Sequence, residues 1–303
     1  MTQAEIDIQA RLDRLARYFD LGALAQADCS AKGIARYYRL SRHAYSRYHD
    51  KGNAVHMGLS EGDIWRPEDM YGQAAFIEEH LGEARNVLEL ATGRGMNALW
   101  LARRHPSVRF HGIDLTPAQL TYARKDSADV ANFTASEGDF HDLSGFASES
   151  QDLVFVVEAL CHSDRKQEVL DQAHRVLRPH GTIIVIDGYR ANGEAEQITD
   201  QALRLLARGM AVPDFMPYQD FQDLVEECPF EIVEEHDRSQ QIMPSLKRFE
   251  GLANRFMSPR LKMRIMRALL PKPLLHNVVS GYLFPALMEA GAISYWLTVL
   301  RKT

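Results

Sequence analysis

The sequence predicts an α/β fold, doubly wound around a mostly parallel sheet, on three observations. Short apolar runs at Val87–Leu90, Val108–Ile113, Gln151–Val157 and Thr182–Asp187 have the length and composition of buried parallel strands. Stretches with helical spacing separate them. Residues 85–114 read as strand, glycine turn, helix, strand, acid, with Gly93 and Gly95 at the turn and Asp114 at the end. Such glycines let the backbone approach a ligand closely, and an acid ending the neighbouring strand can hold a ribose hydroxyl.

Taken in order, residues 3–27 carry apolar positions at Ile6, Leu12, Leu15, Tyr18, Phe19 and Leu24, which predicts one or two amphipathic helices. These helices pack either on the main domain or on a second subunit, so a homo-oligomer built through them stays open. Residues 34–71 are rich in aromatics: Tyr37, Tyr38, Tyr45 and Tyr48, then His56-Met-Gly58, Trp65 and Tyr71. That pattern fits an aromatic core face or an aromatic lid over a ligand. Residues 73–82 lead helically into the first strand. The helix after Gly95 runs from Ala98 to His105 and stops at Pro106. Thr116-Pro117 starts the next helix with proline at its first position, and the helix runs to about Ser127. Phe133–Ser136 is a third strand, Asp164–Leu177 a helix, and Arg178–Gly181 a turn before the fifth strand. Residues 195–210 and 221–225 are helical, Phe230–Val233 is a sixth strand ending near Asp237, and Ser294–Leu300 is the last. Residues 253–273 hold Arg255, Arg260, Lys262, Arg264, Arg267 and Lys272 without an acid, on an amphipathic helix. Its basic face is either solvated, docked on an anionic membrane surface or a clamp for a phosphorylated substrate.

Composition narrows the classes. The 303 residues can bury a substantial core, and 46% apolar with 25% charged content is ordinary for a globular protein. A net charge of −6 gives no reason to expect nucleic acid as a partner. Cys29, Cys161 and Cys228 lie far apart without metal-like spacing, which suggests a reducing, cytoplasmic setting and no metal. The N-terminal Met-Thr-Gln-Ala-Glu-Ile-Asp lacks the basic start and apolar core of a signal peptide, and no run approaches a membrane span.

The stretch Glu89-Leu-Ala91-Thr92-Gly93-Arg-Gly95 resembles the first motif of the class I S-adenosylmethionine (SAM) methyltransferases, an acid followed by spaced glycines. It departs from that motif at Ala91, where the first glycine is expected. The resemblance implies a seven-stranded, Rossmann-like sheet closed by an antiparallel hairpin, with a helical N-terminal lid and a helical insertion over the pocket. It divides the chain into a lid and substrate region (1–72), a SAM-binding core (73–190) and a cap with the closing strands (191–303). It also implies the cofactor SAM, held by Glu89, Ala91, Thr92, Gly93, Gly95, Asn97, Asp114, Leu115, Asp139, Phe140 and Glu158. Within that set, the loop 89–97 takes the methionine portion, Asp114 the ribose hydroxyls, and Asp139 the adenine amino group. The segment Glu158-Ala-Leu-Cys161-His162 after the fourth strand, together with the tyrosine-rich segment ending in His56-Met-Gly58, resembles the sterol and terpenoid C-methyltransferases.

The chemistry expected from that subtype is methylation of an alkene in a small, largely apolar substrate. The carbocation so formed must lose a proton. Glu158 and His162 are the candidate bases, and Tyr38 and Tyr45 are candidates to steady the cation with their rings. O- or N-methylation of a small aromatic or polyketide uses the same fold and stays open, as does a module that binds SAM without catalysis. A dinucleotide-dependent dehydrogenase is disfavoured by Glu89 standing before the glycines.

Overall fold

The computed structural model describes residues 1–44, 55–258 and 272–303. Seven strands form one sheet: β1 (Asn86–Leu90), β2 (Arg109–Asp114), β3 (Phe133–Glu137), β4 (Gln151–Val157), β5 (Leu177–Arg190), β6 (Phe230–Asp237) and β7 (Ile293–Lys302). Their order is β3-β2-β1-β4-β5-β7-β6. The first five strands pair in parallel, and β7 runs antiparallel between β5 and β6. The doubly wound, mostly parallel sheet of the sequence reading is therefore the observed one. Its closing pair is not a simple hairpin, because two long helices intervene between β6 and β7.

The middle strands read as unbroken apolar runs because both faces are covered. Ile183, Ile184, Val185 and Ile186 of β5 are fully buried, as are Val154 and Phe155 of β4. One face carries α4 (Gly72–Glu79), α5 (Met96–Arg104) and α6 (Pro117–Asp126), through residues such as Ile77, Leu101 and Ala123. The other carries α7 (Lys166–Val176) and α9 (Tyr218–Glu227), through Leu170, Val176 and Phe221. The turn expected at Arg178–Gly181 proves to be an excursion inside β5. The pairing jumps from Gln151↔Leu177 to Leu153↔Thr182, and His180 adopts a left-handed φ of +61°.

Above the carboxyl ends of the strands lies a helical cap. It is made of α1 (Gln3–Ala16), α2 (Leu21–Ala25) and α3 (Ala31–Ala44), with α8 (Gln197–Gly209), α10 (Ser239–Phe256) and α11 (Lys272–Glu289). The apolar stripe of α1 (Ile8, Leu12, Leu15) is buried within the chain, against α8 and α11. Arg11 of α1 reinforces that docking by donating to the Tyr282 carbonyl at 2.7 Å and pairing with Glu250. Where α8 crosses α11, a Cβ on Gly209 would lie 2.9 Å from the His276 carbonyl oxygen, so the close approach requires glycine. Residues 259–271, the bulk of the expected basic helix, and 45–54, with Tyr45 and Tyr48, lie outside the described residues. Among the described residues no helix is long and apolar enough to cross a membrane.

Candidate active site

Strand order reverses between β1 and β4, and in such sheets a ligand meets the carboxyl ends of the strands at the reversal. Four neighbouring strand ends there carry an acid: buried Asp114 at the end of β2, buried Glu89 in β1, half-buried Glu158 after β4 and buried Asp187 in β5. Burial pushes the carboxyl pKa of Glu89 and of Glu158 up to about 8, and raises those of Asp114 and Asp187. Such a crown of acids suits a ligand that brings positive charge.

At the β1 end the chain turns through three left-handed residues, Ala91 (φ +53°), Gly93 (+57°) and Gly95 (+80°). Ala91, the departure from the glycine motif, thus adopts the conformation that glycine would supply. Glu89 accepts hydrogen bonds from the Thr92 hydroxyl, the Asn97 side chain and the Ala98 backbone N–H. Asp114 accepts from Gly93 N–H at 2.8 Å and from Thr116 N–H at 2.7 Å, tying the glycine turn to the end of β2. Thr92 sits against Gly112, where a Cβ would come within 2.6 Å of its side chain. Between the glycines Arg94 is 1% exposed, with Nε 3.1 Å from Gln119 Oε1 and its guanidinium 4.3 Å from the Tyr122 ring centre. Leu115 is partly exposed beside Asp114, and Phe140 packs on His141 behind Asp139.

At the β4 end Glu158 is also left-handed (φ +48°), which swings its side chain beneath the cap. Its Oε1 accepts from Met57 N–H at 2.9 Å and from the Tyr295 hydroxyl at 2.8 Å. Gln73 in turn donates to the Met57 carbonyl at 2.6 Å and to the Tyr295 oxygen at 3.1 Å. The short 3-10 turn Leu160–His162 then presents His162. Its Nδ1 lies 3.0 Å from the Ala211 carbonyl, so that nitrogen carries the proton and Nε2 accepts from the Tyr38 hydroxyl at 3.0 Å. Burial lowers the His162 pKa to about 4, which keeps the ring neutral near pH 7. Asp187 accepts from Cys161 N–H and Gly188 N–H, each at 2.8 Å.

Glu158, His162, Tyr38, Tyr37, Phe215 and Phe284 line one cavity together with Asp187, Met57 and Met210. Among the described lining residues there is no lysine or arginine. The structure thus brings together Glu158, His162 and Tyr38 from the catalytic set, and Glu89 to Asn97 with Asp114 from the cofactor set. Tyr45 lies outside the described residues. Asp187, Tyr295, Gln73 and Arg94 were missed from sequence. Asp187 carried the same signal as Glu89 and Glu158, an acid at a parallel strand's end, whereas nothing local marks Tyr295.

The site fits SAM on its own features. SAM brings a sulfonium and an ammonium, which suit the buried acids. Among the described residues buried Asn97 Oδ1 and Gln73 Oε1 have no donor, and both can accept from an ammonium group. The N-terminus of α5, capped by left-handed Gly95, favours an anionic group such as a carboxylate.

Residues 88–185 match the family model described as a methyltransferase domain. The chain carries a SAM-dependent methyltransferase domain. Its relatives include an S-adenosyl-L-methionine-dependent Diels-Alderase of Talaromyces variabilis, 28% identical over 65% of this chain and 73% of that one. An O-methyltransferase of Aspergillus sclerotiorum is 25% identical over 56% of this chain and 63% of its own length. A 24-methylenesterol C-methyltransferase of Oryza sativa subsp. japonica is 27% identical over 44% of this chain and 38% of its own length. Among solved structures, a protein from Galdieria sulphuraria described as a putative sarcosine dimethylglycine methyltransferase superposes with a TM-score of 0.74 at 18% identity, covering 88% of this chain and 98% of that one. The geranyl diphosphate C-methyltransferase of Streptomyces coelicolor A3(2), solved with S-adenosyl-L-homocysteine (SAH), gives 0.66 at 16% identity over 90% and 97% of the two chains. These findings bear out the methyltransferase resemblance read from Glu89 to Gly95, the Rossmann-like fold, the enzyme class and the cofactor.

Proposed function

We propose that this methyltransferase moves the methyl group of SAM to an alkene carbon of a small, largely apolar metabolite, with Glu158 accepting the proton that the methylated carbocation must lose. The supporting observation is the shared cavity, in which two proton acceptors, Glu158 and His162, stand among aromatic side chains without a described lysine or arginine. Bound SAM supplies an electrophilic methyl group on a positive sulfur. The chain's own task is to align the acceptor, exclude water and hold the charge that develops. Tyr37 and Tyr38 meet edge to face at 5.1 Å and offer ring surface to a cation. Glu158 is held by Met57 and Tyr295, and a nearby sulfonium favours its ionised, proton-accepting form. In this reading residues 1–72 and 191–303 close the substrate pocket over the SAM-binding core.

A second reading, O-methylation with His162 as base, is favoured by one feature. The Ala211 carbonyl fixes the imidazole tautomer, so that Nε2 faces a hydroxyl, that of Tyr38, at 3.0 Å. The O-methyltransferase relatives fit that reading too. Both are tested by incubating the protein with trideuteromethyl SAM and prenyl, sterol-like and phenolic acceptors, then locating the label by mass spectrometry. Label on carbon is the expected result. Label on oxygen selects the His162 reading, and a rearranged, unlabelled product, in line with the Diels-Alderase relative, contradicts both.

A further inference from the structure

We propose that His141 positions Asp139 at the adenine end of SAM and thereby sets the preference of the site for a 6-amino purine. The proposal rests on the reading of Asp139 as the acceptor for the adenine amino group. After β3, Gly138 N–H donates to the Asp114 carbonyl at 3.1 Å, which fastens the following loop beside the end of β2. Asp139 Oδ1 then accepts twice from His141, from the backbone N–H at 2.9 Å and from Nδ1 at 2.6 Å. Among the described residues Oδ2 takes no hydrogen bond, and the Asp139 side chain remains 41% exposed.

The far side of the imidazole is fixed as well. Its Nε2 lies 2.8 Å from the hydroxyl of Ser163, which is 1% exposed and follows the turn that presents His162. Ser163 Oγ also accepts the Arg165 N–H at 3.0 Å, and the Asp139 carboxylate oxygen facing Nδ1 can only accept. Nδ1 therefore carries the ring proton and donates it to Asp139. A buried hydroxyl in this arrangement is no nucleophile. It is the anchor of a chain, Ser163–His141–Asp139, that links the loop after β4 to the loop after β3.

With Oδ1 doubly occupied, Asp139 presents a single outward acceptor. Such an acceptor takes a hydrogen bond from an exocyclic amine and meets a 6-oxo group lone pair to lone pair. Polar sites of this kind reject the analogue that leaves them unpaired. Removing the His141 side chain leaves Oδ1 with the backbone N–H alone, which loosens the carboxylate and weakens the discrimination without removing its charge.

The test is isothermal titration of SAH and of S-inosylhomocysteine, which carries an oxo group in place of the amine. The wild type is expected to bind SAH at least about tenfold more tightly, a difference in reach of one charge-assisted hydrogen bond. His141→Ala is expected to lose most of that preference by weakening SAH alone, and His141→Asn, whose amide can donate in place of Nδ1, to restore part of it. Equal weakening of both ligands, or unchanged binding in His141→Ala while Asp139→Ala loses SAH, overturns the role of His141. If Asp139→Ala keeps its SAH affinity and the wild type shows no preference, the reading of Asp139 fails and the proposal falls with it.

Discussion

At the scale of single residues, Ala91 is the position where sequence and geometry meet most directly. The first-glycine site of the loop holds a left-handed φ of +53° with a side chain that disfavours it. For an L-residue this conformation costs about 1–2 kcal/mol, and the entropy that glycine loses on folding offsets about half. Ala91→Gly should therefore raise the melting temperature by about 1–2 °C and leave SAM affinity intact or improved. A lower melting temperature would show that the alanine methyl packs usefully, against this account. Glu89, Asp114 and Glu158 were legible because a carboxyl that closes an apolar run has few other uses, and Asp187 carried the same signal without being singled out. Arg94 was not, since its burial depends on Gln119 and Tyr122 of α6. The link between Glu158 and Tyr295 joins β4 to β7 and has no local signature.

At the scale of elements, the central strands β1, β2, β4 and β5 followed from their apolar runs, because strands covered on both faces leave little room for polar residues. The long helices α10 and α11 were largely missed, for a physical reason. Pro244 and Pro285 interrupt them, and α11 is apolar nearly all round because it lies between α8, α10 and the N-terminal helices. Burial of that kind erases the periodicity by which a helix is recognised. The crossing of α8 and α11 at Gly209 follows the same logic. Gly209→Ala places a methyl 2.9 Å from the His276 carbonyl and nearer still to the Ser280 hydroxyl. Thermal unfolding should show a loss of about 1–3 kcal/mol, the usual cost of overpacking. Unchanged stability would mean that the cap is looser than the contacts between these helices imply.

At the scale of the whole molecule, the crown of buried acids couples stability to cofactor and pH. Glu89 and Glu158 have folded-state pKa values of about 8, above the unfolded value of about 4.3. Their stabilising contribution is therefore complete below the unfolded value and is lost as pH rises through 8. His162 acts oppositely, since its pKa is lowered to about 4, but that effect ends near its unfolded value of about 6.5. Between pH 6.5 and 8 the acids should dominate. The melting temperature of the ligand-free protein should fall across that window, as its unfolding free energy drops by at most about 1.4 kcal/mol per pH unit for each carboxyl. SAM, a cation, should stabilise the protein more at pH 8 than at pH 6.5, and SAH, lacking the sulfonium charge, should show less of this trend. A melting temperature independent of pH across this window, with equal gains from both ligands, would contradict the coupling.

The measurement that bears most directly on the central claim is single-turnover methylation of a carbon acceptor by Glu158→Gln and His162→Ala, with SAM affinity measured alongside. Glu158→Gln is expected to bind SAM within a few-fold of wild type yet slow turnover by about 10²–10⁴, the range of a lost general base, while His162→Ala loses far less. Near-normal turnover in Glu158→Gln with intact SAM binding would contradict it.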